Sequence, residues 1–300
     1  MIHQFKKGDL NFVVDVNSGA IHCVDDMAYD VIARYQTQDK AALVDTLSEK
    51  YPKDALEQSY REVTTLVDKK QLFSANHVLD SAKFLNRSFV VKALCLHVAH
   101  DCNLRCEYCF AAQGNFHGDN LLMPLEVGKR ALDFLVANSG NRRQLEVDLF
   151  GGEPTMNWEV CKQLVEYGKA LEFEHNKLIR FTITTNGLLL NDEKIDYINR
   201  HFHNVVLSID GRREINDAMR PIAGGTGSYD IIAPKFKQLV AGRGDKSYYV
   251  RGTFTNRNID FDRDVLHLAD LGFKETSVEP VVSSPDDLFS LSEADLPAIY

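Results

Sequence analysis

The chain has 300 residues, enough to bury one large core or two smaller ones, and its 44% apolar and 26% charged content matches an ordinary globular protein. A formal net charge of −9 argues against a general nucleic-acid binder. No apolar run approaches the length that spans a bilayer, so neither nucleic acid nor membrane is an expected partner. The opening Met1-Ile2-His3-Gln4-Phe5-Lys6-Lys7 lacks the apolar region of a secretory signal, and a cytoplasmic location is the expectation. Ile299-Tyr300 follows a polar stretch with no stop-like tail, which gives the expectation of a fragment of a longer protein.

Residues 1–78 read as a separate module. Asn11–Val16 and Ala20–Val24 are strand patterns around Asn17-Ser18-Gly19, whose residues accept positive φ. Three helical patterns follow, marked by Val31, Ile32 and Tyr35, by Leu43, Val44 and Leu47, and by Leu56, Tyr60, Val63 and Val67. Leu72-Phe73-Ser74-Ala75 offers a third strand, and the sum suggests a winged-helix-like domain. Residues 1–80 carry nine Lys plus Arg against thirteen Asp plus Glu, so a peptide added to the sheet edge suits this module better than DNA. Phe73 is the candidate peptide contact.

After a linker at 79–90, strand and helix patterns alternate over 91–285. Strands are expected at Val91–Ala99, Leu145–Phe150, Ile179–Thr185, Asn204–Ile209, Tyr248–Phe254 and Glu275–Glu279. Helices are expected from Pro124 to about Ser139, after Asn157 as a cap, over Asn191–Arg200, over Ser228–Ala241 (weakened by Pro234), and over Asp262–Asp270. Six such units predict an α/β fold, a parallel sheet wound as a partial (β/α)6 TIM-like barrel, with functional residues at the carboxyl ends of the strands. Residues 286–300 read as the start of a further C-terminal region.

Cys102, Cys106 and Cys109 form a C-x-x-x-C-x-x-C array directly after the first of these strands. Thiolates this close in a cysteine-poor chain point to a metal centre rather than to disulfides. A [4Fe–4S] cube takes one ligand per iron, so three cysteines leave one iron open, whereas zinc would need a fourth ligand from His97 or His100. Cys95 and Cys161 read as buried small hydrophobes, and Cys23 as structural.

This array, with Tyr108 before its last cysteine, resembles the radical S-adenosylmethionine (SAM) superfamily. Gly151-Gly152-Glu153-Pro154 after the second strand matches that family's GGEP motif, which contacts the SAM amino group, and Glu153 offers an acceptor for an ammonium. Thr185-Asn186-Gly187, Ser208-Ile209-Asp210-Gly211 and Arg220-Pro221 resemble segments that contact the SAM ribose and carboxylate. The resemblance therefore implies three metal ligands, Cys102, Cys106 and Cys109. It implies cofactor contacts from Tyr108, packed near the adenine, and from Gly151, Gly152, Glu153, Pro154, Thr185, Asn186, Ser208, Asp210 and Arg220. It implies a [4Fe–4S] cluster, SAM, and cleavage to a 5′-deoxyadenosyl radical, the cofactor carrying the hard chemistry.

Within the superfamily the motifs are similar to the peptide-modifying SPASM branch, and the whole is most similar to maturases of the six-cysteine peptide SCIFF. That implies thioether links from a Cys sulfur to a Thr α-carbon in a ribosomally made, cysteine-rich precursor bound by the N-terminal module. It also implies a flavodoxin or ferredoxin as electron donor and auxiliary clusters in a SPASM domain beyond Tyr300, since no cysteine follows Cys161. Rival readings are an anaerobic sulfatase maturase, another peptide radical enzyme such as one that crosslinks a quinone cofactor precursor, and a metal-containing winged-helix DNA-binding regulator.

Overall fold

The computed structural model describes residues 1–75 and 89–299. The chain divides into two compact units, Met1–Ser88 and Phe89–Tyr300. Most of the expected 79–90 linker lies outside the described residues, and Phe89 and Val90 are irregular. Among the described residues no helix is long and apolar enough to cross a membrane.

In the first unit three antiparallel strands, β1 (Ile2–Lys7), β2 (Leu10–Asp15) and β3 (Ala20–Val24), form a sheet in that order. Three helices follow, α1 (Asp26–Arg34), α2 (Lys40–Leu47) and α3 (Lys53–Asp68). Asp25 and Asp39 cap the first two, their carboxylates accepting from the amides of Ala28 and Ala42. Val13, Val31, Leu43, Leu56 and Leu72 make its core. The third strand is therefore Ile2–Lys7, not the expected Leu72–Ala75. Leu72 is wholly buried, Phe73 takes a φ of +51°, and Ser74 donates its amide to Asp15, so this segment folds back as a closing turn with no ladder of its own.

The second unit holds six parallel strands in sequential order: β4 (Ala93–Ala99), β5 (Gln144–Gly151), β6 (Leu178–Thr185), β7 (Asn204–Ser208), β8 (Tyr249–Phe254) and β9 (Thr276–Pro280). Helices α4 (Leu125–Ala137), α5 (Trp158–His175), α6 (Asp192–His201), α7 (Arg213–Met219), α8 (Tyr229–Ala241) and α9 (Phe261–Asp270) connect them, and a short α10 (Leu296–Ile299) ends the described chain. Among the described residues β4 and β9 are the edges of the sheet, an open (β/α)6 arrangement.

Alternation explains the layering. Leu145, Val147 and Leu149 of β5 and Ile179, Phe181 and Ile183 of β6 are buried and join Leu132, Leu164, Ile195, Phe236 and Leu268 of the helices in one core. Their neighbours Glu146, Asp148, Phe150, Arg180, Thr182 and Thr184 point to the other face and are only partly covered. Parallel strands buried on both sides read as continuous apolar runs. These alternate, so the inner face of the sheet is a polar, hollow surface. Cys161 is wholly buried as expected, but Cys95 is exposed, because its place in β4 puts it on this inner face.

Pro234 sits inside α8 without ending it; the helix buries Ile232, Ala233, Phe236 and Leu239 against the sheet. Its last turn delivers Arg243, whose guanidinium donates to the carbonyls of Ile198, Phe202, His203 and Ser247 and so caps the end of α6. Helix α7 has no counterpart in the sequence expectations. Seven residues give too short a period to read, and the helix is fixed from outside by Arg212, which bridges Asp260 and Asp264.

Candidate functional site

The cysteine loop leaves β4 and is held on both sides by backbone bonds. On one side His100 N donates to Leu121 O at 2.7 Å and Met123 N to Val98 O at 3.0 Å. On the other, Arg105 N donates to Pro221 O at 2.8 Å and Glu107 N to Met219 O at 2.9 Å. Asn157, expected only as a helix cap, makes no cap bond. Its side-chain amide donates instead to Val98 O at 2.8 Å and Met123 O at 3.0 Å, pinning the strap to the strand. Three cysteines that a free loop would scatter are thus fixed by the main chain around them.

Behind the loop runs Gly151-Gly152. Gly151 has a φ of +135°, and a Cβ there would stand 2.3 Å from the Ala99 carbonyl oxygen; at Gly152 one would stand 2.2 Å from the Asp101 carbonyl oxygen. Only glycine lets the two chains come this close. The approach is sealed by Gly152 N donating to Ala99 O at 2.8 Å and Glu153 N to Asp101 O at 2.9 Å.

A cavity of ≈ 210 Å³ opens at this carboxyl end of the sheet. Cys102, Cys106, Tyr108, Cys109, Gly151, Gly152, Thr185, Asn186, Ser208 and Arg220 all contribute to its wall, so most of the predicted site residues meet. Glu153, Pro154 and Asp210 are not on that wall. Glu153 is wholly buried and turned away from it. Its carboxylate accepts from Thr155 N at 3.0 Å, Thr155 Oγ1 at 2.5 Å, Thr185 Oγ1 at 2.8 Å and Asn186 N at 2.7 Å. With four donors engaged it braces the ends of β5 and β6.

Tyr108 also differs from expectation. Its hydroxyl donates to Asp210 at 2.7 Å and accepts from Arg220 Nη1 at 2.8 Å, tying the cysteine loop to the ends of β7 and α7. Burial pushes the Asp210 carboxyl up, while Arg220, the Tyr108 hydroxyl and the Thr253 amide draw it back. Arg220 is 8% exposed, and its Nε–H, buried at the cavity wall, has no partner.

Around the thiols, Cys102 Sγ accepts from Leu104 N at 3.4 Å and from Asn186 Nδ2 at 3.6 Å. Burial pushes the Cys102 thiol up to about 12 and raises Cys106, with Arg220 opposing both shifts. Such thiols surrender their protons only to a cation that replaces them. His97 and His100, the possible zinc ligands, instead surround the Phe116 ring, with centroid separations of 4.6 and 5.2 Å. Phe73, in the other unit, stacks on Tyr35 at 5.5 Å and lines a cavity of ≈ 290 Å³ with Met1, Gln4, Ile32 and Gln36.

A second and larger cavity, ≈ 840 Å³, occupies the amino end of the same inner face, with Cys95, Asp148, Arg180, Thr182, Asn204 and Tyr249 among its residues. Apart from Cys95, read as a buried hydrophobe, the sequence analysis singled out none of these, since polar residues alternating in a strand carry no motif. The nearest available signal was the alternation itself.

Comparison with known proteins bears on this site. Residues 96–239 match the Radical SAM superfamily profile. The chain is 36% identical over 135 residues to the uncharacterized protein MJ0907 of Methanocaldococcus jannaschii, covering 45% of this chain and 44% of that one. It is 24% identical over 222 residues to the radical SAM cyclopropyl synthase TigE of Paramaledivibacter caminithermalis, covering 66% and 46%. The chain thus spans less than half the length of these two curated relatives. Among solved structures it resembles anSMEcpe with bound AdoMet and the Kp18Cys peptide, with a TM-score of 0.61 at 19% identity over 69% of this chain and 57% of that one. The matched residues 96–239 lie within the six-stranded parallel unit and include its cysteine loop and glycine pair.

Proposed function

We propose that this chain is part of a radical SAM peptide maturase. Cys102, Cys106 and Cys109 would hold three irons of a [4Fe–4S] cluster, and SAM would occupy the fourth. The observation that carries the reading is the wall of one cavity: three cysteines, glycine backbone at Gly151-Gly152, and the unpartnered Nε–H of Arg220. An unpaired guanidinium donor suits a carboxylate such as that of SAM. Among the described residues no three His, Cys, Asp or Glu side chains gather as a ligand set for a single ion. A cube that takes one thiolate per iron asks its ligands to stand apart. When bound, the cluster and SAM supply a 5′-deoxyadenosyl radical able to abstract hydrogen from an unactivated C–H bond.

The chain's own residues then have distinct tasks. The two straps hold the thiolates, Arg220 receives the carboxylate, and Glu153 keeps the ends of β5 and β6 at a fixed separation. Tyr108 and Asp210 hold Arg220 in place rather than touching the cofactor.

The finer reading is a thioether-forming maturase of the SCIFF type. An S–Cα bond would form between a Cys and a Thr of the precursor, replacing one S–H and one Cα–H. The Cα hydrogen would leave to the deoxyadenosyl carbon, the thiol proton to solvent, and the remaining electron to an auxiliary cluster. The acidic three-strand, three-helix unit suits precursor docking by strand addition near Phe73 and α3, and a flavodoxin or ferredoxin suits the reductant. The match to the radical SAM cyclopropyl synthase TigE supports a radical SAM reaction but not a particular substrate or bond.

The experiment is anaerobic incubation with SAM, reductant and a cysteine-rich precursor. 5′-Deoxyadenosine together with loss of a hydrogen pair per link in the peptide mass supports the thioether reading. 5′-Deoxyadenosine without peptide change removes it. Formylglycine on a sulfatase peptide would assign the sulfatase-maturase alternative instead.

A further inference from the structure

The amino-end cavity is built on register. Cys95 pairs with Asp148, Asp148 with Thr182, and Thr182 with Asn204, so four inner-face residues from β4 to β7 lie in one row across the sheet. The row below it pairs Glu146 with Arg180, and Glu146 also meets Lys92 at 3.3 Å. At the far side Arg251 meets Glu279 at 2.6 Å; both belong to the wall of the upper cavity, and Glu279 to the wall of the lower one as well. Glu146 and Glu279 therefore have counter-ions within the fold.

Asp148 does not. Its Oδ1 is buried and has no hydrogen-bond partner among the described residues, and the amide oxygen of Asn204, two strands along the row, is in the same condition. The nearest members of the row, Cys95 and Thr182, carry no charge. Burial pushes the Asp148 carboxyl up, and the Thr184 hydroxyl and Arg251 draw it only partly back. A buried acceptor without a donor is costly, more so for a charged group, and a fold retains it where something else supplies the donor. Asp148 lies three residues before Gly151, roughly 10 Å along β5 from the cysteine cavity. Thr184 joins the two, lying on the wall of the upper cavity and supporting Asp148 in the lower one.

We infer that the amino-end cavity is a subsite for a positively charged donor group, an ammonium or guanidinium, received by Asp148, with Asn204 further along the same row. Calling that group part of the substrate rests on the peptide-maturase reading; the binding itself does not. The subsite would select peptides with Lys or Arg close to the modified residue.

The test uses the 300-residue chain labelled with 3-fluorotyrosine, with the Tyr248 and Tyr249 signals assigned by Phe substitution. N-acetyl-lysine methylamide, N-acetyl-glutamine methylamide and N-acetyl-glutamate methylamide are the probes. The lysine compound is expected to shift the Tyr249 signal with a dissociation constant at least about fivefold lower than the glutamine compound, and the glutamate compound to leave it unmoved. Asp148→Asn should abolish the lysine preference. Asn204→Asp, which adds a second carboxylate to the row, should strengthen it and serves if the first variant does not fold. Equal binding of the three probes, lysine binding that persists in Asp148→Asn, or no shift up to about 100 mM would overturn the inference. None of these readouts needs iron or turnover, so SAM cleavage can stand while this assignment falls, and the reverse.

Discussion

At the carboxyl ends of the strands, the inner face of the sheet runs into loops, and its chemistry is set largely by main chain. Backbone straps fix Cys102, Cys106 and Cys109, and two glycines bring the loops into contact. At the amino ends the same face has no such loops, and side chains alone make the surface: Asp148, Thr182, Asn204 and the charged pair Glu146–Arg180. One end is narrow and held in place by its neighbours; the other is wide and holds a carboxylate oxygen, Asp148 Oδ1, with no partner among the described residues. The contrast follows from parallel topology. Every strand delivers a connecting loop to the same end, so a site needing fixed geometry can be built there, while the opposite end offers only what alternation provides.

Substitutions at the two ends should therefore differ in size and kind. The largest effect is expected for Cys106→Ala at the carboxyl end. SAM cleavage should fall to background while the far-UV spectrum is unchanged, because the straps around the loop use main chain rather than the thiol. Loss of helical signal would place Cys106 in the fold instead.

Arg220→Met comes next. Among the described residues it removes the cation beside the buried Asp210, whose remaining support is the Tyr108 hydroxyl and the Thr253 amide. Breaking such a pair costs about 3–5 kcal/mol, readable as a lowered urea midpoint. A midpoint within error of the parent would contradict the brace. Glu153→Gln should cost about 1–3 kcal/mol, since an amide cannot accept from all four donors that the carboxylate satisfies. SAM affinity should weaken only as the ends of β5 and β6 loosen, and a large loss of affinity without loss of stability would restore Glu153 as a direct contact.

The smallest effect belongs to the amino end and has the opposite sign. The folded Asp148 carboxyl sits above its ordinary value, so the folded state holds its proton more tightly than the unfolded chain does. Stability then falls as the pH rises from the ordinary carboxylate value through the raised one. Asp148→Asn removes that loss, and the variant should gain slightly at pH 7 and not at pH 3, measured by urea unfolding at both. A loss at pH 7 would mean that Thr184 and Arg251 outweigh the burial of Asp148 in the folded protein.

The same contrast governs how much was legible in the sequence. Residues that act through loops left motifs: the cysteine array, the glycine pair and Arg220 all reach one cavity as read. Position in a motif did not reveal direction. Glu153 turns inward because Thr155, Thr185 and the Asn186 amide surround it, and the Tyr108 hydroxyl turns to Asp210 and Arg220. The strand pattern predicted six parallel strands because the core-facing residues of each are strongly apolar. It missed β1, whose Gln4, Lys6 and Lys7 blur the alternation, and assigned the third strand to Leu72–Ala75, where apolar residues serve a turn. Asp148 and Asn204 were invisible because their meaning lies in register, which aligns residues 56 positions apart only once the sheet exists.

The central claim is that three thiolates and one open position hold a SAM-binding cluster. It is tested most directly by anaerobic reconstitution with iron and sulfide, followed by electron paramagnetic resonance of the reduced protein with and without SAM. The account predicts brown protein with about four irons per chain, a signal that changes when SAM is added, and loss of both in Cys106→Ala. A colourless protein that takes up one zinc, or a cluster signal indifferent to SAM, would contradict it.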